Sequence, residues 1–123
     1  MNDVEFKKMA ANPNPRLRQW AVMGLSGSKI VKYRGFLEKL LKDSDFLVRG
    51  TAAHKLAFCK DAKVIPVLVK ALFHYDRQIR WTAIRALAKK SGATFGYDYR
   101  LTPDRQKEAL SIWKQYLSSG TGS

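Results

Sequence analysis

Trp81, Arg85 and Lys89 follow one another at intervals of four residues. That spacing stacks side chains on one face of a helix. An indole beside two cations supports a chemistry without covalent steps: the ring stacks on a base or another flat group, and the cations neutralise phosphates. Displaced by 31 residues, the same stripe reads Gly50, His54 and Phe58, with Lys55 beside it, and displaced again it reads Gln19, Met23 and Gly27. The candidate ligand surface is therefore Gln19, Met23, His54, Lys55, Phe58, Trp81, Arg85, Lys89 and Lys90. Two placements of Trp81 satisfy the pattern, open in a groove or packed against the final helix and under Tyr97 and Tyr99. Trp20 adjoins Ala21 and aligns with Thr51 and Thr82, which places it in the core.

Other chemistries find little support. His54 and His74 lie 20 residues apart with no carboxylate or cysteine at metal-ligand spacing. His74 falls in a turn column with Asn12 and Asp43, where a capping role is expected. Cys59 is the single cysteine, so neither an intramolecular disulfide nor a cysteine-based metal site is available, and a small buried apolar residue is expected there. There is no P-loop, dinucleotide fingerprint or nucleophile elbow. Asp98, Asp104 and Glu108 read as solvated or capping residues. Base chemistry would need a carboxylate beside an exposed aromatic, and the Trp81 stripe has none. The expectation is a protein that is not an enzyme and carries no cofactor and no metal.

What must position the stripe is a repeat. The segments beginning at Asn12, Asp43 and His74 align without a gap at a period of 31 residues. Arg18, Arg49 and Arg80 share one column, Leu17, Val48 and Ile79 the next, then Ala21, Ala52 and Ala83, then Leu25, Leu56 and Leu87. Such self-similarity marks a solenoid, whose repeats bury their apolar faces only by stacking. Helices are expected near 3–10, 15–26, 30–42, 45–59, 62–73 and 76–90. Asn14 caps one of them with Pro15 at its first position, and Asp43 or Ser44, then Asp76 or a neighbour, serve the later repeats. The glycines and aromatics of residues 91–101 break the pattern. Thr102 and Pro103 then start a last helix to about 117, with Ile112, Trp113, Tyr116 and Leu117 on its apolar face. One domain over 1–123 is expected, with repeats at about 3–28, 29–60 and 61–90, a cap at 91–118 and a flexible tail at 119–123.

The run Asp43, Asp45, Val48, Arg49, Ala52, Leu56 resembles the HEAT repeat, above all its short bacterial form, the phycobilin-lyase HEAT-like repeat. Residues 63–72 resemble that repeat's first helix, and the closing TFGYD and ALSIWKQYL segments resemble C-terminal caps of bacterial HEAT-repeat proteins. The resemblance implies an all-α, right-handed α-α superhelix of about three repeats with a C-terminal capping helix. It further implies second helices lining the concave face, and column arginines paired with acids of the interhelical turns, here Asp43, Asp45 and Asp76. Repeat 1 departs from the pattern, with Asn12 and Asn14 in place of acids and Gly24 inside a helix. Such arrays imply scaffolding or recognition. The enzymatic exceptions, bilin lyases and alkylpurine DNA glycosylases, have catalytic residues that this chain does not match.

Charge then bears on the partner. The 123 residues carry 23 Lys and Arg against 10 acids, for a net +13, an imbalance that speaks of partners rather than fold. Nucleic acid is the first expectation, bound through its phosphates by the basic concave surface, and an acidic protein is the alternative. Neutralising ~5 phosphates would give a log K against log salt slope of about −4.5. Further cations, Lys29, Lys32, Arg34, Lys39, Lys42, Lys60, Lys63 and Lys70, are expected on the convex face and repeat edges. No apolar run approaches the ~20 residues of a membrane span, and the N-terminus lacks a signal peptide's apolar core. A cytoplasmic protein without membrane insertion is expected. The oligomeric state stays open, with Phe6 and Met9 near the uncapped first repeat.

Overall fold

A computed structural model describes residues 1–119, and the expected tail lies outside the described residues from position 120 on. Among the described residues, eight α-helices account for the architecture: α1 (Asp3–Ala10), α2 (Pro15–Met23), α3 (Ser28–Lys32), α4 (Arg34–Leu40), α5 (Phe46–Phe58), α6 (Ile65–Ala71), α7 (Arg77–Ser91) and α8 (Lys107–Ser118). There is no strand among the described residues. Helices α2, α5 and α7 pack side by side as an inner layer. Behind each stands an outer helix: α1 on α2, α4 on α5 and α6 on α7, with α8 beside α6.

The helix starts follow a two-residue code repeated in each turn. Asn14, Asp45 and Asp76 are the N-caps of α2, α5 and α7, and their side chains accept from the N–H groups of Arg16, Leu47 and Gln78. Two residues earlier, Asn12, Asp43 and His74 accept from the N–H of each cap residue at 2.9 Å. The cap of α5 is thus Asp45 rather than Asp43 or Ser44. Asp43 is already engaged by the Asp45 N–H and by Arg18, so it fixes the turn instead of ending the helix.

Between the layers the apolar columns close the core. Val48, Ala52, Leu56, Ile79, Ala83 and Leu87 are all at most 1% exposed. Alanine in the 21/52/83 column leaves no bulk to hold neighbouring inner helices apart, and fully burying each larger side chain is worth roughly 1.5–3 kcal/mol.

Two expected helices end differently. The segment expected as one helix at 30–42 breaks at Tyr33 (φ −101°, ψ 18°) into α3 and α4. The Tyr33 ring stacks on Phe6 at 4.2 Å and its hydroxyl bonds Asp3. That contact ties the ring to repeat 1 at the bend. The last helix begins at Lys107 instead of Thr102: Pro103–Arg105 form a single 3₁₀ turn, and Gln106 (φ −145°, ψ 46°) interrupts it. The buried Gln106 side chain accepts from the Asp98 N–H at 2.9 Å and donates to the Asp98 and Leu101 carbonyls at 2.7 and 3.0 Å. Those bonds lock the loop against the helix start.

The turn before α8 is secured from inside. Gly92 ends α7 in the left-handed region (φ 85°), which its lack of a Cβ permits. The Tyr97 hydroxyl donates to the Leu72 carbonyl at 2.6 Å, and burial pushes its phenol up to about 12. Trp113 is fully buried and donates from Nε1 to the Thr94 carbonyl at 2.9 Å.

His74 gives the fold a pH dependence. It is 5% exposed; Nδ1 accepts from the Asp76 N–H, and Nε2 faces the Leu41 carbonyl, which assigns the proton to Nε2. Burial holds its pKa below the ordinary 6.5; the Leu41 carbonyl and Asp76 oppose that shift, while the Arg49 and Lys42 charges add to it. A histidine with a depressed folded-state pKa stabilises the fold fully above 6.5 and loses that contribution as pH falls from there toward the folded value. The denaturant midpoint is therefore expected to drop as pH falls below the ordinary 6.5. His74→Asn, which places at the third turn the residue that Asn12 supplies at the first, is expected to flatten that drop. An unchanged pH profile in the variant would assign the slope to other groups.

Candidate functional site

The arginine column joins one repeat to the next. Arg18 meets Asp43 through two bonds of 2.9 Å, and Arg49 meets Asp76 at 3.1 Å. Each arginine also donates to two carbonyls of its own turn: Asn12 and Pro13 for Arg18, Asp43 and Ser44 for Arg49, His74 and Tyr75 for Arg80. The structural reading of this column therefore holds. Asp45 pairs with Arg16 at 2.7 Å instead of with a column arginine. Burial by itself raises the Asp43 carboxyl, but the Arg18 guanidinium and the Asp45 N–H outweigh it and hold Asp43 below the usual carboxylate range.

With that column committed to stacking, the open face of the inner helices is what a ligand meets. It holds a cavity of about 580 Å³ lined by Gln19 and Met23 of α2, Phe46, Leu47, Gly50, Thr51, His54 and Lys55 of α5, and Gln78, Ile79 and Thr82 of α7. Four of the nine candidate residues, Gln19, Met23, His54 and Lys55, come together here. Phe58 continues the face at 70% exposure with its ring 4.5 Å from that of His54. Trp81, Arg85, Lys89 and Lys90 do not line the cavity. Trp81 is half-buried, edge-on to Tyr99 at 6.5 Å, and Arg85 lies over its ring at 4.6 Å. Lys90 donates to the Cys59 carbonyl, and Lys89 is exposed. Cys59 itself is buried.

Trp20 overturns its expected place in the core, for it is 59% exposed. The buried arc of α2 includes Val22 (0% exposed) as well as Ala21, and Leu25 is buried just past the end of the helix. Adding Val22 turns the arc so that Gln19 and Trp20 flank the outward direction on either side. The outward face is thus wider than one stripe. Phe46 and Leu47, at 67% and 42% exposed, belong to it and were missed. Their signal was available: with Asp45 as the cap, they open α5 before its first buried residue, Val48.

Ionisable groups are distributed unevenly between pairing and solvent. Six ion pairs engage six of the ten acids, which leaves 17 of the 23 Lys and Arg outside any ion pair among the described residues. Lys55 is the one lysine or arginine lining the inner cavity, and no carboxylate lines it. Among the described residues no three His, Cys, Asp or Glu side chains gather as metal ligands, and no helix is long and apolar enough to cross a membrane.

Paired helices stacked in register, with an arginine joint that recurs between turns and an open inner face, define an α-solenoid of the kind that recognises partners along its surface. The description "HEAT repeats" matches residues 33–95, just over half of the 123 residues, and the chain belongs to the HEAT-repeat family. No curated protein and no solved structure matches it.

Proposed function

We propose that this is a non-catalytic binding module whose inner face takes an acidic, apolar segment of a partner protein. The carrying observation is the cavity of about 580 Å³ with Met23, Phe46, Leu47 and Ile79 in its lining, Lys55 at its side and no carboxylate. Trp20 and Phe58 extend the exposed apolar surface beyond it. Exposed large apolar side chains gathered around a concavity mark an interaction site, and an amphipathic helix laid in such a groove reads it through anchors at i, i+3, i+4 and i+7. A phosphate track along this face has less support. Arg85 is held over Trp81 and Lys90 at a carbonyl, and neither they nor Lys89 line the cavity.

The test is fluorescence anisotropy with a synthetic amphipathic peptide carrying leucines on one face and glutamates on the other. Wild type is expected to bind it. Met23→Glu with Leu47→Glu is expected to weaken binding at least ~10-fold, since it replaces apolar contacts with charges that repel the glutamates of the peptide, and about 1.4 kcal/mol suffices for that factor. Both residues are exposed, so the fold should persist. Equal binding of a scrambled peptide, or indifference to the double substitution, would count against the proposal.

A further inference from the structure

We infer that the outer layer is a second docking surface, separate from the inner groove, for the phosphate backbone of duplex nucleic acid. Six of the 17 Lys and Arg outside ion pairs among the described residues, Lys7, Arg34, Lys39, Lys63, Lys107 and Lys114, lie in the seams between successive outer helices. Between α1 and α4, Lys7 and Lys39 both reach the ring of Phe36, at 5.9 and 5.8 Å. Between α4 and α6 an open cavity of about 660 Å³ is ringed by Lys32, Arg34, Lys63 and Lys70 over a floor of Gly35, Pro66 and Val67. Between α6 and α8 lie Lys107 and Lys114, the latter 5.0 Å from the ring of Phe73. The carboxylates lining the two cavities are Glu38 and Asp104, one in each.

Two further cations of these seams already have partners, Lys32 with Asp3 at 2.9 Å and Lys70 with Glu38 at 3.6 Å. Both pairs are open to solvent, the lysines at 58% and 71% side-chain exposure. Exposed pairs contribute little and exchange readily for a phosphate.

Spacing and chemistry choose the polyanion. Packed helices stand about 8–10 Å apart, so successive seams match every third phosphate of a strand whose residues advance ~3.4 Å along the duplex axis. Single strands are bound by stacking bases on open aromatic rings. Here Phe36 is half-buried beneath Lys7 and Lys39, and Phe73 has Lys114 over it, so the rings support cations instead of bases. A membrane surface has less support: α3, α4 and α6 carry none of the exposed large apolar residues, and the flanking outer helices add only Val4 and Ile112, with Phe73 lying under Lys114. Contacts through phosphates position a protein without reading sequence.

The experiment is fluorescence anisotropy of the full chain with a short labelled DNA duplex across roughly 0.05–0.3 M salt. With about six phosphates neutralised, log K is expected to fall with log salt at a slope near −5.4. Arg34→Glu with Lys63→Glu removes two contacts, which flattens the slope by about 1.8 and weakens binding about 60-fold near 0.1 M salt. The charge-matched inner-face variant, Arg85→Glu with Lys89→Glu, is expected to stay within about threefold, the residual effect being loss of long-range attraction. All four residues are exposed, and circular dichroism verifies that both variants fold. The proposal is overturned if wild type fails to bind at the lowest salt, if the inner-face pair proves the more damaging, or if anionic vesicles compete the duplex away. Peptide binding by the inner groove is read separately, so failure of one site leaves the other standing.

Discussion

Trp113→Ala is expected to cost about 3–5 kcal/mol of unfolding free energy, the largest loss of any single substitution in the chain. Trp113 is fully buried, edge-on to Phe95 at 4.9 Å and to Tyr116 at 5.4 Å. Truncation empties the space of an indole and leaves the Thr94 carbonyl without the 2.9 Å bond from Nε1. A domain of this size has net stability of about 5–15 kcal/mol, so the variant is expected to be partly unfolded at physiological temperature. Urea denaturation followed by far-UV circular dichroism measures the loss. Trp113→Phe keeps a ring in the pocket and is expected to cost about 2 kcal/mol, part of it the unmet carbonyl. Phe95 adds a second reason for sensitivity: it sits at positive φ (53°), a conformation that costs a non-glycine residue energy and persists only while its surroundings hold it. Removing Trp113 takes away the ring against which Phe95 packs. A loss below about 1 kcal/mol would mean that α8 does not close the stack in solution, and the role of the cap would have to be abandoned.

That a different kind of helix packs after the third repeat was legible, as was most of the layer arrangement, because stacking imposes the same demand at every repeat. Val48 and Ile79, or Ala52 and Ala83, occupy equivalent places between the same kinds of neighbours, so a 31-residue echo in sequence is an echo in packing. The arginine column was legible for the same reason. What a periodic argument cannot see is a contact made once. Tyr33 bends the outer helix of repeat 2 because its ring stacks on Phe6, a partner that exists only at the end of the array. Gln106 delays α8 because its amide is taken up by the loop at Asp98 and Leu101.

The inner site was half legible, and the reason is angular. Choosing Leu17, Ala21 and Leu25 as the buried line left one outward stripe with Gln19, Met23 and His54 on it, and all three line the inner cavity. Val22 and its equivalents Ala53 and Ile84 are buried as well, at 0%, 3% and 5% exposed, and they turn the outward arc toward Trp20 and Leu47. Trp81 drew notice for its neighbours Arg85 and Lys89, yet Tyr99 from the cap loop meets its edge. Packing beside Tyr99 was one of the two placements the pattern allowed, and the fold takes it. Charge was split between two layers: Lys32, Arg34, Lys63 and Lys70, expected on the convex face and repeat edges, ring a cavity between outer helices, whereas Lys55 is the one expected inner-face cation that lines the inner cavity.

The last repeat lacks what the first two use to hold the next, and Arg80 is the consequence. Arg18 and Arg49 reach forward to Asp43 and Asp76, the acids of the following turn. Among the described residues no repeat follows the third, and Arg80 forms no ion pair. It is nonetheless buried, at 3% exposed, with Nε donating to the Tyr99 carbonyl at 3.1 Å and Nη1 to the His74 and Tyr75 carbonyls at 2.9 Å each. A carbonyl dipole of the cap loop thus stands where a carboxylate would have been. Arg80→Ala leaves three carbonyls without their donor and opens a cavity, and is expected to cost about 3 kcal/mol. Arg18→Ala, whose guanidinium is less deeply buried, is expected to cost about 1–2 kcal/mol. Arg80→Lys retains charge, but one ammonium cannot reproduce a planar fork that spans the Tyr99 carbonyl and the 74–75 turn, so it is expected to recover less than half the loss. Hydrogen exchange distinguishes the cause. If Arg80 joins the cap to the array, amides of residues 94–101 exchange faster in Arg80→Ala while those of α2 and α5 keep their order. Uniform acceleration across all helices would show instead that Arg80 serves only general stability, and an effect no larger than that of Arg18→Ala would deny it any special place at the end of the stack.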